Sequence, residues 1–257
     1  MLDLKGKLKD GGLAIGTMIS EIRNPNLAYM LAQCGFDFFI IDNEHGAYSP
    51  ETISNMIAAA RGAGISVVVR IPEIRREAIM KPLDTGAAGL LVPMVNTADQ
   101  AKEIMTYAKY PPMGNRGVAL SRAHSSYGRP NAAEYLDQVN QATFIAVQAE
   151  SPQAIENLES IASTPGVDAI FVGPADLSVG MGIPGQITHP REVEAIEKVL
   201  AICQKHDIVP GIHMSKLETL KDWIRRGMRF VTFSSDVDFL ARAAQESLVH
   251  LREASGP

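Results

Sequence analysis

A chain of 257 residues with 46% hydrophobic and 21% charged residues has the composition of an ordinary globular protein. Its net charge of -5 excludes a general nucleic-acid binder, which would carry a basic face. No apolar run approaches the ~20 residues of a membrane helix, and the opening MLDLKGKLKDGG lacks the apolar stretch of a secretory signal. Cys34 and Cys203 are too few and too far apart for a disulfide framework or a Cys-built zinc site. They predict a reduced, cytoplasmic protein with both thiols as core filler.

From residue 13 onward, β-branched and aromatic runs alternate with helical patterns. Strands are expected at Leu13–Thr17, Phe38–Ile41, Val67–Arg70, Gly89–Pro93, Phe144–Gln148, Ala169–Val172, Val209–Ile212 and Phe230–Ser234. Between them, LAYMLAQCG at 27–35, TISNMIAAARGAG at 52–64 and AIENLESIAS at 154–163 place apolar residues at helical spacing. Asn24, Ser49 and Ser151 each precede a proline as helix starts, and Gly35, Gly64, Gly86 and Gly227 close others. Strand and helix repeating about eight times predict a (β/α)8 TIM barrel. The whole chain, 1–257, reads as one domain with a core of about 10–250. A doubly wound open sheet would want a Gly-rich turn after the first strand, and LAIGTMIS has none. The longest irregular segment, YPPMGNRGVALSRAHSSYGRPN at 110–131, is expected to form an active-site wall through Arg116, Arg122, His124, Ser125 and Tyr127. LREASGP at 251–257 reads as a frayed tail.

A barrel of this kind carries its chemistry at the C-terminal ends of the strands. Those ends hold Asp42, Glu44 and His45 after the second strand, and Arg70 after the third. Gln148 and Glu150 follow the fifth strand, Asp176 in GPADLS the sixth, and His213 the seventh. Glu150 and Asp176 follow neighbouring strands, and two carboxylates without a thiol or a tight His pair suit a hard cation such as Mg²⁺. Zinc would want HxH or HExxH spacing, which is absent. Asp42, three residues before His45, would orient the imidazole as a general base. Arg70 would steady a developing oxyanion, and the helix opening at Gly173–Pro174–Ala175–Asp176 could hold a carboxylate. No lysine ends a strand, so Schiff-base chemistry is not expected. Metal, base and arginine together suggest cleavage through the enolate of a 2-oxo acid.

FDFFIIDNEHG, VVVRIPE, LDTGAAGLLVPMVNTADQA, YPPMGNRGV, VQAESPQAIENL and GVDAIFVGPADLSVGMG resemble, in order and spacing, the HpcH/HpaI family of metal-dependent, pyruvate-forming aldolases. The resemblance runs from about residue 10 to 250. It implies a barrel whose last helix is swapped between subunits, assembled as dimers and hexamers. It also implies Mg²⁺, Mn²⁺ or Co²⁺ on Glu150 and Asp176, with His45 as base and Arg70 on the enolate. Gln148 would lie beside the metal, the amides of Ala175 and Asp176 would hold the pyruvate carboxylate, and Asp42 would partner His45. Asp84, in LDTG, would reach a neighbouring subunit's base. Gly46-Ala47-Tyr48, His213 and the loop ALSRAHSSYG around Arg122 depart from the family pattern. They would line the aldehyde side of the pocket, so the resemblance leaves the aldehyde partner open. A related carbon–carbon lyase or oxaloacetate-type decarboxylase would use the same site, and a barrel that only binds a ligand would leave His45 and Arg70 without work.

Overall fold

The computed structural model describes residues 3–254. Its eight parallel strands close in chain order: β1 Ala14–Ile19, β2 Phe38–Asp42, β3 Ser66–Arg70, β4 Gly89–Val92, β5 Phe144–Ala149, β6 Ala169–Val172, β7 Val209–Met214 and β8 Phe230–Ser235. All eight expected strands are present, and helices alternate with them, which makes the molecule a (β/α)8 barrel. Several strands run one or two residues further at their C-terminal ends than expected, because residues there, polar Asp42 and His213 and apolar Ile19 and Met214 alike, still pair with the neighbouring strand.

Side chains alternate across a strand, so each strand feeds two cores. Outward residues such as Phe39, Ile41, Val69 and Val147 pack beneath the helices, with Ile57, Ile104 and Ile196 opposing them. Inward residues of the lower barrel are rings. Phe230 stacks on Phe38 at 4.6 Å and meets Phe144 and Phe171 edge-on at 5.0 and 5.5 Å. Each such pair contributes ~0.5–1.5 kcal/mol beyond its buried area. Gly211 makes the room: a Cβ there would stand 2.6 Å from the Phe171 ring.

A short helix, Leu4–Lys9, closes the barrel from below. Leu4 and Leu8, one turn apart, join the ring cluster, and Asp3 caps the helix by accepting from the Gly6 amide at 2.8 Å. Lys5 ties it to the barrel floor through Asp168 at 2.8 Å. Sequence patterning at 1–12 did not announce this plug.

With the lower half filled, the same inward alternation delivers Asp42, Arg70, Gln148, Gly173 and His213 to the upper rim. The fold therefore gathers the chemistry-bearing residues before any loop geometry is considered.

The last helix, Asp236–Ala254, stands apart. Only Asp236 is buried among its 19 residues. Val237, Leu240, Leu248, Val249 and Leu251 are exposed, as are Tyr29 and Met30 on the helix Leu27–Gln33. Cys34 follows that outer face and is exposed rather than core filler, because no described residue covers it; Cys203 is buried as expected. Residues 251–254, read as tail, continue the last helix, and 255–257 lie outside the described residues. No helix among the described residues is long and apolar enough to cross a membrane.

Candidate active site

Parallel register sets Asp42 directly beside Arg70 across β2 and β3. Asp42 Oδ1 accepts from Arg70 Nε at 2.9 Å and Oδ2 from Nη2 at 2.7 Å. This is the two-pronged geometry a guanidinium favours. Glu44 Oε2 lies 3.1 Å from Nη1. Oδ1 also accepts the backbone N–H groups of Glu44 at 3.1 Å and His45 at 3.3 Å. Burial pushes the Asp42 carboxyl up, but Arg70 and the loop amides outweigh it and hold it below its ordinary value. Burial likewise opposes the charge on Arg70, and Asp42 more than restores it.

This corrects the expected pairing of Asp42 with the His45 ring. The carboxylate is filled by Arg70 and by two amides, so His45 gives Asp42 its backbone N–H and leaves its imidazole exposed on the rim. A spacing of three residues brings a loop residue near; strand register decides what the carboxylate grips.

Across the mouth, Glu150 is buried at 3% exposure. Its Oε1 accepts the Met94 N–H at 2.7 Å and its Oε2 accepts from Gln148 Nε2 at 2.6 Å. Burial pushes this carboxyl up to about 7, with the charges of Glu44 and Asp176 adding and the Met94 N–H and Arg70 opposing. Gln148 Oε1 is buried with no partner among the described residues. Gly173 leaves the space open: a Cβ there would lie 2.3 Å from Glu150 Oε2 and 3.2 Å from Gln148 Nε2. Asp176, exposed in the first turn of the helix Pro174–Gly180, faces the same region closely enough for its charge to act on both Glu150 and Glu44. Burial also raises Glu44, and Arg70 and His45 offset this only in part.

Buried and unpartnered oxygen, crowded carboxylates and an open cradle fit a hard cation. No group of three or more His, Cys, Asp or Glu side chains placed to hold a metal occurs among the described residues, so a cation on Glu150 and Asp176 would take its other positions from water and substrate.

His213 occupies the upper rim on β7, with Nδ1 3.0 Å from Thr232 Oγ1. Burial, joined by the charge of Arg70, pushes its ring down to about 4, so it is neutral at physiological pH.

Two expected site residues are elsewhere. Asp84 ends the helix Arg76–Asp84 at the N-terminal face of the barrel, where it pairs with Arg116 at 2.6 Å. Arg122 belongs to the 110–131 loop, which also lies at that face. Arg61 anchors the loop through the Ala123 carbonyl and Ser126 Oγ, and His124 Nδ1 meets the Tyr135 hydroxyl at 2.5 Å. The loop follows the helix Ala98–Ala108, which runs back down from β4, so it cannot wall the mouth of its own barrel. Conversely, Glu44 and the Met94 amide join the site without having been assigned a part in it. Glu44 was visible within DNEHG; a backbone donor leaves no compositional trace.

The HpcH/HpaI aldolase/citrate lyase family model matches residues 17–243. The chain is 37% identical over 243 residues to the 4-hydroxy-2-oxo-heptane-1,7-dioate aldolase of Salmonella heidelberg (strain SL476), covering 94% of this chain and 91% of that protein. It is 34% identical over 225 residues to the 5-keto-4-deoxy-D-glucarate aldolase of Klebsiella pneumoniae subsp. pneumoniae, covering 88% and 87%. The crystal structure of an HpcH/HpaI aldolase from Desulfitobacterium hafniense DCB-2 superposes with a TM-score of 0.94 at 36% identity, over 97% of this chain and 96% of that one.

Proposed function

The chain belongs to the HpcH/HpaI aldolase/citrate lyase family, and on that footing we propose a metal-dependent class II aldolase that reversibly cleaves a 2-oxo-4-hydroxy acid to pyruvate and an aldehyde. The observation that carries this reading is the buried Glu150, whose unpartnered neighbour Gln148 Oε1 and glycine-lined cradle lie across the mouth from a pinned Arg70. A divalent cation (Mg²⁺, Mn²⁺ or Co²⁺) held by Glu150 and Asp176 would supply positive charge where the 2-oxo acid places its oxygens.

The chain's own groups do the rest. His45, exposed on the rim, takes the proton of the C4 hydroxyl as the C3–C4 bond breaks, and that proton returns to C3 of the pyruvate enolate. Arg70 has five N–H donors; Asp42 takes two of them, and Glu44 lies in ion-pair contact with Nη1. The remainder face the developing oxyanion from a side chain that cannot swing away. The amides of Ala175 and Asp176 open a helix and have no partner within it, which suits them to the pyruvate carboxylate against Gly173 and Pro174. Gln148 holds Glu150 in place, and His213 contacts the substrate as a neutral group. Asp84 and Arg122, at the far end of their own barrel, serve a site only in another copy. The exposed apolar face of the last helix supports its exchange between subunits of a dimer-based homo-oligomer, a hexamer by family resemblance. The substrate is a small molecule handled in the cytoplasm, with neither nucleic acid nor membrane as partner.

The test is retro-aldol release of pyruvate from a panel including a 1,7-dioate, a deoxy sugar acid and adducts of short hydroxyaldehydes. EDTA should abolish it, Mg²⁺, Mn²⁺ or Co²⁺ should restore it, and borohydride should trap no adduct. Metal-independent cleavage overturns the reading. Oxaloacetate decarboxylation faster than every aldol cleavage would make the chain a decarboxylase of the same family.

A further inference from the structure

One carboxylate outside the site is held by more hydrogen bonds than its place in the fold requires. Asp236 follows β8 and opens the last helix. Its Oδ1 accepts from Ser20 N at 3.0 Å, Ser20 Oγ at 3.1 Å and Val237 N at 3.0 Å. Its Oδ2 accepts from Glu21 N at 3.0 Å and Ile22 N at 2.7 Å. Its helix is already capped by Ser235, whose Oγ accepts the Asp238 N–H at 3.1 Å, so the cap does not call for Asp236. The amides of residues 20, 21 and 22 are consecutive donors wrapped around an anion, and they belong to the loop after β1.

The backbone is bent to reach this contact. The β1–β8 register shifts between Gly16 and Met18, and Ser234 sits at φ 60, unusual for a residue with a side chain. Thr17 Oγ1 secures the shift by donating to the Ser234 carbonyl at 3.1 Å. Such irregularity persists where its surroundings hold it and often marks function.

The loop so held is a wall. A Cβ on Gly46 would lie 2.9 Å from the Ser20 carbonyl and 2.8 Å from the Tyr48 ring. Tyr48, 7% exposed, donates its hydroxyl to the Ile22 carbonyl at 3.5 Å. Gly46 directly follows His45 and Tyr48 comes three residues after it, so the loop carrying the imidazole is set directly on the loop that Asp236 holds.

We propose that Asp236 is a positioning residue for His45, fixing the β1 loop as the seat of the His45 loop. The proposal rests on the aldolase reading, in which His45 moves the substrate proton. Asn at 236 cannot substitute. Four of its five partners are backbone N–H groups, which can only donate, and they face both oxygens, so an amide sets its own N–H groups against others whichever way it turns.

The experiment uses the full-length, Mn²⁺-loaded protein and follows kcat, KM, exchange of pyruvate C3 protons in D₂O by NMR, and the thermal midpoint. Asp236→Asn should lower kcat and C3 exchange together by about tenfold or more, with KM changed by less than about twofold, the mark of a displaced reacting group. Tyr48→Phe should lower both by roughly threefold, the scale of one hydrogen bond. The double variant should be no worse than Asp236→Asn alone, since both act on one seam. A lowered thermal midpoint with wild-type kcat and exchange overturns the proposal, as does full additivity. If Asp236→Asn yields no folded protein, Tyr48→Phe decides: wild-type kcat there overturns it. Wild-type protein that exchanges no C3 proton overturns the aldolase reading and this proposal with it; wild-type exchange with unchanged variants overturns this proposal alone.

Discussion

Asp42 grips Arg70 with both carboxylate oxygens, at 2.9 and 2.7 Å, between paired positions of β2 and β3. The contact aims a cation into the barrel mouth and keeps it aimed. Lysine would keep the charge and lose the fork. Arg70→Lys should therefore reduce kcat by roughly 10²–10³ while KM changes little, the scale seen when one preorganised oxyanion donor is lost. Steady-state pyruvate release checks it; a loss confined to KM would place Arg70 in ground-state binding instead.

Gly173 offers a test of the cation cradle that removes no polar group. The added methyl of Gly173→Ala would meet Glu150 Oε2 at 2.3 Å. Mn²⁺ affinity, measured by titration calorimetry, should fall at least tenfold. Stability should fall by about 1–3 kcal/mol, the usual cost of overfilling a packed site.

Glu192 predicts a pH effect unconnected with the site. It is fully buried on the helix Pro190–His206, both carboxylate oxygens lack partners among the described residues, and burial pushes its carboxyl up from 4.5 to about 7. Between these values the folded protein holds a proton that the unfolded chain has lost, so stability falls as pH rises from about 4.5 to 7 and levels off above. Glu192→Gln removes the ionisation at nearly constant volume. Thermal melts should show the variant losing less stability than wild type across that interval, and exceeding it above pH 7 by on the order of 1–3 kcal/mol.

Leu240→Glu with Leu248→Glu tests the last helix. Both side chains are exposed in the single chain, so a monomer should tolerate the charges. Sedimentation velocity should show the assembly reduced to single chains, with the barrel's far-ultraviolet circular dichroism retained and cleavage lost. An unchanged sedimentation coefficient would remove this face from the interface.

The barrel was legible because its strands are the chain's most apolar runs and its helices carry their own caps and closing glycines. Strand-end chemistry was legible for the same reason: residues such as Arg70 and Gln148 continue the inward alternation of Val68 and Ala146. Contacts set by register or by chain direction were not. The Asp42–Arg70 fork joins residues 28 apart, and nothing local favours it over the nearer His45. Arg122 sits among site-like neighbours, yet the segment follows a descending helix, which puts it at the wrong end of its own barrel. Cys34 has the burial tendency of any free thiol; its exposure reflects a helix face that the described residues leave uncovered. The plug helix Leu4–Lys9 offered one apolar pair, too little periodicity to stand out.

The rings around Phe230, with Leu4 and Leu8 beneath them, make the barrel a cup with a floor instead of a tunnel. Whatever is cleaved inside must send both fragments out past the same lip. In the proposed reaction the fragment nearer the Phe230 floor, beside Glu150 and Gln148, is pyruvate. The aldehyde therefore departs first and pyruvate second, and product inhibition by pyruvate should be competitive with the substrate.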